Sequence, residues 1–158
     1  MGRKNSPSAN KELNELIAQY ETARAENRQL YLDGDQLADI ADQYAAGRKF
    51  NEAQEVITYG LHLHPDSTDL LVEQAYLYLD TGKIPLAKKV VESITDEYDT
   101  DVKMLKAELM LNEGQLENAR NVLDTIEDAD ELETIINIVY LYMDMGYPEA
   151  VSYTHLTL

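Results

Sequence analysis

The sequence predicts an all-α fold, a right-handed solenoid of antiparallel helix pairs, from three observations. Ala41 recurs 34 residues later as Ala75, and Gly82 recurs at intervals of 32 residues as Gly114 and Gly146. Apolar residues return every three or four places between them, which is the spacing of one helix face. No useful length of sequence alternates apolar and polar residues as a strand would. Self-similarity at this period is typical of helical repeats, which bury their apolar faces by stacking on one another.

The chain begins with a polar stretch and a helix that lacks the recurring residues. Residues 1–8 are expected to be disordered. Leu13, Leu16 and Tyr20 follow helical spacing and predict a helix in the segment 9–33, which closes with a turn. We interpret this segment as an N-terminal capping helix and turn, because the first unit of a repeat array would otherwise expose its apolar end.

The rest of the chain is predicted to form helix pairs. Ala41 and Ala107 are expected where the two helices of a pair cross, since a small side chain lets the backbones approach to about 8–10 Å. Gly82 and Gly114 are expected to end helices in the left-handed backbone conformation. The predicted units are residues 34–67, 68–99 and 100–131 as full repeats, and 132–150 as a truncated fourth that keeps only its first helix.

These units resemble the tetratricopeptide repeat (TPR) family in the residue types of both helices. Three residues depart from the family pattern: Gly47 sits one place early, and Gln74 and Lys106 stand where a Leu-like residue is usual. The resemblance spans about residues 34–150 and implies a TPR-like solenoid that binds protein partners. The first unit carries the family's positions as Leu37, Ile40, Ala41, Tyr44, Ala53, Ile57, Gly60 and Pro65.

The last eight residues, 151–158, do not fit the second helix of a fourth unit. They contain no Asp, Glu, Lys or Arg, and the octapeptide resembles translated sequencing-adapter sequence. We therefore expect a non-native tail on a truncated fragment of a bacterial-type TPR protein that continues past Ala150. The alternative is a native, strand-like C-terminal tail.

Composition favours an acidic cytoplasmic protein and argues against nucleic acid as a partner. The net charge is −17, so a phosphate backbone would be repelled. The absence of cysteine fits a reducing compartment, and neither a signal peptide nor an apolar span of membrane length is expected. The acidity also has a simpler interpretation, namely a solvated surface that keeps the repeats soluble.

No arrangement of residues in the sequence indicates catalysis, a cofactor or a metal site. His62 and His64 are two places apart, whereas metal-binding pairs on helices prefer three or four. Asp35, Asp39 and Asp42 share a helix face but lack the glycine and terminal Glu of a calcium loop. We therefore predict that the protein is not an enzyme.

The resemblance implies that a partner binds in the concave groove, which the first helices of the pairs line in this family. Apolar and aromatic side chains at such positions are typical of binding surfaces. The alternative is that the cap helix or further repeats cover part of the groove. The candidate residues are Asp39, Asp42, Val72, Glu73, Tyr76, Leu79, Met104, Leu105, Glu108, Leu111, Ile136, Tyr140 and Met143.

Two function classes follow from this interpretation. The favoured hypothesis is a non-catalytic interaction scaffold that holds a peptide segment of a partner, with apolar anchors and basic flanking residues. The alternative is a docking or regulatory arm of a longer enzyme or regulator whose C-terminal domain is missing. Self-association through the truncated C-terminal end is a third possibility.

Overall fold

The computed structural model describes residues 7–127 and 129–153, and all regular structure within them is helical. This confirms the all-α helical-repeat fold class. The chain divides into two compact units, Met1–Val90 and Val91–Leu158. The helices are α1 (Pro7–Ala25), α2 (Gly34–Ala46), α3 (Phe50–Leu63), α4 (Thr68–Asp80), α5 (Ile84–Ser93), α6 (Thr100–Asn112), α7 (Leu116–Leu123) and α8 (Leu132–Asp144), followed by a 3₁₀ helix (Pro148–Tyr153).

In the first unit, α2 packs on α3, and α4 packs on both of them. Its core includes Leu37, Ile57 and Leu70, which are fully buried. Gly60 permits the close approach of α3 to α4, because a Cβ there would lie 2.7 Å from Cδ1 of Leu70. The small residue expected in the second helix of this repeat therefore has a direct packing cause. Six recurring alanines are likewise at most 1% exposed: Ala41, Ala53, Ala75, Ala87, Ala107 and Ala119.

Polar contacts hold α1 and the segment after it against α2 and α3. The Tyr44 hydroxyl donates to the Glu21 carboxylate at 2.8 Å, and Arg24 pairs with Glu55 at 2.6 Å. Burial raises the pKa of Tyr44 above its usual value, and the hydrogen bond to Glu21 raises it further. The Tyr59 hydroxyl donates to the carbonyl oxygen of Leu30 at 2.8 Å. The N-terminal segment is thus fixed by side chains of the first helix pair.

A pair of glutamines explains one departure from the family pattern. Gln74 on α4 is 6% exposed, in a position where an apolar residue was expected. Its side-chain amide and that of Gln54 on α3 donate to each other's oxygen atoms, at 3.2 and 3.0 Å. Because each amide satisfies the other, the polar group is buried without an unmet hydrogen bond.

In the second unit, α6 packs on α7, and α8 contacts the 3₁₀ helix. The core joins residues of all four elements, among them Ala107, Leu123, Tyr142 and Ala150. Burial raises the pKa of the Tyr142 hydroxyl. The buried Lys103 side chain reaches from α6 to the residues just after α7, where its Nζ donates to the carbonyl oxygen of Thr125 at 2.7 Å.

The ends of α2, α4, α6 and α8 share one hydrogen-bonded turn. A left-handed residue closes each turn, and it is glycine in three of them, with φ of 73°, 75° and 81° at Gly82, Gly114 and Gly146. The prediction that these glycines end helices is confirmed. In the first turn, the early Gly47 leaves the left-handed position to Arg48, with φ of 59°. The recurring N–H donors and carbonyl acceptors are Lys49 to Tyr44, Lys83 to Tyr78, Gln115 to Met110 and Tyr147 to Tyr142, at 2.7–2.9 Å.

The tail falls partly outside the described residues. Residues 151–153 belong to the 3₁₀ helix, and Val151 packs against the core of the second unit. Residues 154–158 of the expected non-native octapeptide, and residues 1–6 of the expected disordered N-terminus, lie outside the part that the structure describes. The adapter interpretation stays a prediction.

Candidate functional site

The candidate binding residues lie on four helices, α2, α4, α6 and α8. Asp39 and Asp42 are on α2, and the next four candidates are on α4. α6 carries Met104, Leu105, Glu108 and Leu111, and α8 carries Ile136, Tyr140 and Met143. Their degree of exposure separates them into three groups.

The first group is buried. Val72 and Met104 are each 3% exposed, Leu111 is 2% exposed and Leu105 is fully buried. This differs from the expectation that these side chains are accessible to a partner. Helical spacing places a residue on a face, but only the packing of neighbouring helices decides whether that face is covered. These four side chains therefore act as packing residues.

The second group is partly exposed and mostly acidic. Asp39 and Asp42 on α2 and Glu73 on α4 are half-buried, as are Tyr76 and Leu79 on α4. α2 and α4 pack directly on each other within the first unit. Three carboxylates, one phenol and one aliphatic side chain are therefore carried by two helices that pack on each other. Glu108 on α6, in the second unit, is also half-buried.

The third group is apolar and well exposed. On α8, Ile136 is 42% exposed, Tyr140 63% and Met143 54%. Leu132, at the start of the same helix, is 71% exposed and precedes Ile136 by four residues. The spacings of four, four and three residues place all of them on one side of the helix. We call Leu132, Ile136, Tyr140 and Met143 the α8 face.

Leu132 was not among the candidates predicted from the sequence, although its spacing of four residues from Ile136 places it on the same side of the helix. The helix also carries a second apolar face, since Ile138, Leu141 and Tyr142 are buried in the core of the second unit. An apolar helix face is normally covered, and surface helices usually turn polar residues outward. The α8 face differs from this pattern, because its outward side chains are apolar.

Across residues 7–127 and 129–153, no group of three or more His, Cys, Asp or Glu side chains is arranged to hold a metal ion. Nε2 of His64 lies 2.8 Å from the carbonyl oxygen of Leu32, so this histidine ties the N-terminal segment to the end of α3. Among the helices described, none is both long and apolar enough to cross a membrane.

Comparison with known proteins gives one match. Residues 44–109, from the end of α2 to within α6, match a family model described as tetratricopeptide repeat. No curated protein and no solved structure matches the chain.

Proposed function

Because residues 44–109 match a tetratricopeptide repeat family model, we propose that this chain is a non-catalytic scaffold that binds a peptide segment of a partner protein. Repeats of this family are in general protein-interaction modules. The segment would carry apolar anchors flanked by Lys or Arg. The proposed repeat boundaries remain 34–67, 68–99, 100–131 and 132–150. The turns that close with a left-handed residue recur at spacings of 34 and 32 residues, which supports these boundaries.

The exposed apolar side chains on α8 carry this proposal. Ile136, Tyr140 and Met143 lie on α8, the first helix of the proposed fourth repeat, and their side chains are exposed. Large apolar and aromatic side chains that stay exposed together are what a partner buries when it binds, and aromatic residues in particular contribute much of interface affinity.

Charge supports the choice of a basic ligand. The chain carries a net charge of −17, and the half-buried candidates on α2 and α4 include Asp39, Asp42 and Glu73. An acidic peptide would meet like charge and leave its own carboxylates without cationic partners, at a cost of about 1–3 kcal/mol for each buried one. Lys or Arg beside the apolar anchors would instead be attracted during encounter.

A peptide array that varies charge and apolar content independently tests this function. Peptides with both apolar and basic residues should bind, and acidic peptides of equal apolar content should not. Binding should slow as salt is added, because rim charges steer association and are screened beyond about 10 Å at 0.1 M salt. Preferential capture of acidic peptides would refute the proposed ligand type.

A further inference from the structure

The first residues of the chain are opposite in charge to helices α2, α3 and α4. Residues 1–11 contain three cations, Arg3, Lys4 and Lys11, and no Asp or Glu. Residues 34–80, from the start of α2 to the end of α4, contain nine Asp or Glu but only two Lys or Arg, a net charge of −7. The N-terminal residues thus carry the kind of charge that this acidic region lacks.

The carboxylates of α2 and α4 recur along one side of each helix. On α2 they are Asp35, Asp39 and Asp42, at spacings of four and three residues. On α4, Asp69 and Glu73 repeat the first two of these at the 34-residue period. Because equivalent positions of stacked repeats face the same way and α2 packs on α4, the two rows form one acidic surface. We call these five residues the acidic face.

Helix stability alone does not account for the acidic face. Asp35 and Asp69 lie in the first turns of their helices, where the macrodipole favours a negative charge. Asp42 lies beyond the first turn of α2, and Asp80 ends α4, where the macrodipole disfavours a negative charge. Neither helix contains Lys or Arg. Like charges on adjacent helices repel one another, so cations from another segment would stabilise this surface.

The two cations nearest to the acidic face in the sequence lie against aromatic rings. The Arg48 guanidinium is 5.6 Å from the centre of the Phe50 ring, and Nζ of Lys49 is 5.8 Å from that of Tyr44. Burial raises the pKa of Asp80, and the positive charge of Arg48 opposes this rise only in part. The region therefore keeps an excess of negative charge that these two cations do not offset.

We propose that residues 1–6, which lie outside the part that the structure describes, cover the acidic face, and that a basic partner segment has to displace them. This rests on the proposed function, because it adds a regulatory segment to the same ligand type. Arg3 and Lys4 pair with carboxylates of α2 and α4, so the chain carries its own competitor for the basic residues of a partner. Polar composition alone predicts disorder for these residues, since it does not take the opposite charge of the acidic face into account.

The segment is long enough to reach the acidic face. Leu13 of α1 packs against the core of the first unit, and α1 contacts α2. Pro7, at the start of α1, lies about 9 Å from Leu13 along the helix axis. Six extended residues add up to about 20 Å, and α2 and α4, with 13 residues each, are about 20 Å long. Arg3 and Lys4 are therefore within reach of carboxylates on both helices.

Tethering favours a segment of the same chain as the occupant. A short flexible tether gives a segment an effective concentration of about 1 mM, so a contact too weak to hold a separate peptide is populated within the chain. The same residues of a second copy would first have to overcome the repulsion between two chains that each carry a net charge of −17.

Paramagnetic NMR on the full chain tests the contact. The sequence contains no cysteine, so Asn5→Cys provides a single site for a nitroxide label. The label should broaden the amide signals around Asp42 and Glu73. Arg3→Gln combined with Lys4→Gln should abolish this broadening, because it removes both cations of the segment. About 1 M salt should also abolish it, since charges are then screened beyond about 3 Å.

Competition tests the regulatory role. The probe is a synthetic peptide with the sequence of residues 1–8, and its binding is followed by the amide signals of α2 and α4. Arg3→Gln with Lys4→Gln should bind the probe at least about threefold more tightly than the parent, as expected if the segment covers the face in about two thirds of parent molecules. Lys11→Gln with Arg28→Gln is the matched control, since it changes the net charge equally at two exposed side chains. It should bind the probe as the parent does, and thermal melts of both variants should match the parent protein.

Each contrary outcome has a separate meaning. Absence of broadening on α2 and α4 would overturn the contact, and broadening that survives Arg3→Gln with Lys4→Gln would overturn its ionic origin. Broadening between a spin-labelled copy and a separate isotope-labelled copy would assign the contact to a second chain instead. Equal affinity of the parent and this double variant for the probe would overturn the competition and leave the proposed function standing. Capture of acidic ligands by a chain that shows the contact would overturn the proposed ligand type and the competition, while the contact itself would stand.

Discussion

Replacing glycine by alanine should stabilise the protein at Gly47 and destabilise it at Gly82, although both glycines lie at the end of a first helix. At Gly47, φ is −80° and ψ is 7°, a conformation that any residue adopts. An added Cβ would meet the carbonyl oxygen of Tyr44 at 3.5 Å, an ordinary contact. The remaining effect is the smaller entropy of the unfolded chain, which should add about 0.4–1 kcal/mol to the free energy of unfolding.

At Gly82 the space is also open, with no atom within 4 Å of an added Cβ, but φ is 73°. The left-handed conformation costs alanine about 1–2 kcal/mol, and the same entropy gain offsets part of it. A net loss of about 0.5–1 kcal/mol is expected, so the two variants should differ by about 1–2 kcal/mol. Because both sites accommodate the methyl group, the backbone angle φ alone decides whether the substitution stabilises or destabilises the protein.

Urea unfolding followed by circular dichroism measures both variants within the first unit. The midpoint should rise for Gly47→Ala and fall for Gly82→Ala, with unchanged slopes. In a thermal melt, 1 kcal/mol corresponds to about 2–4 °C for a chain of this size. Shifts of the same sign and size at both positions would refute the reasoning that places the left-handed residue at Arg48 in the first turn and at Gly82 in the second.

Three other perturbations probe the core of the first unit. Gly60→Ala should destabilise by about 1–3 kcal/mol, because the new Cβ would overlap both methyl groups of Leu70, at 2.7 and 2.9 Å; a variant that melts like the parent would contradict this packing. Gln54→Leu alone should cost about 1–3 kcal/mol by stranding the amide of Gln74, and Gln54→Leu with Gln74→Leu should recover most of it. If the losses of unfolding free energy in Gln54→Leu and in Gln74→Leu simply add in the double variant, the two amides do not act as a pair. Because the pKa of Tyr44 is raised in the folded state, stability should be full below the usual tyrosine value of 10.0 and should fall as the pH rises beyond it. Unfolding measured from about pH 8 to about pH 11 should show this loss, and Tyr44→Phe should show a shallower one. Equal dependence of the unfolding free energy on pH in the two proteins would contradict the raised pKa of Tyr44.

The features that sequence predicted well are those that a residue type enforces locally. A glycine that recurs at a helix end indicates a left-handed turn, and Gly82, Gly114 and Gly146 all adopt one. A recurring alanine indicates a close helix crossing, and Ala41 is indeed buried. Such features need no knowledge of the neighbouring repeat, because steric limits on φ and on side-chain volume act within a few residues.

The exposure of the candidate binding residues was harder to predict, because it depends on what packs nearby. Val72 and Met104 have the same spacing in their helices as Ile136, yet they are buried and Ile136 is exposed. Nothing in the residue types distinguishes them, since all three are large and apolar. Arg48 is a similar case: the hydrogen bond from the Lys49 N–H to the carbonyl oxygen of Tyr44 closes the turn, although Arg48 has to adopt a left-handed backbone that non-glycine residues disfavour.

The absence of Lys and Arg from residues 121–153 also governs how the protein can be handled in the laboratory. Amine-reactive dyes, biotin esters and lysine cross-linkers all require a primary amine, so none of them can modify α8. Immobilisation through lysine therefore never attaches the protein by a side chain of α8 itself. Trypsin, which cuts after Lys or Arg, likewise has no site between Arg120 and Tyr153, so a digest releases this region as one large peptide. Mapping its contacts by mass spectrometry calls for a protease that cleaves at acidic residues and for carboxylate-directed reagents.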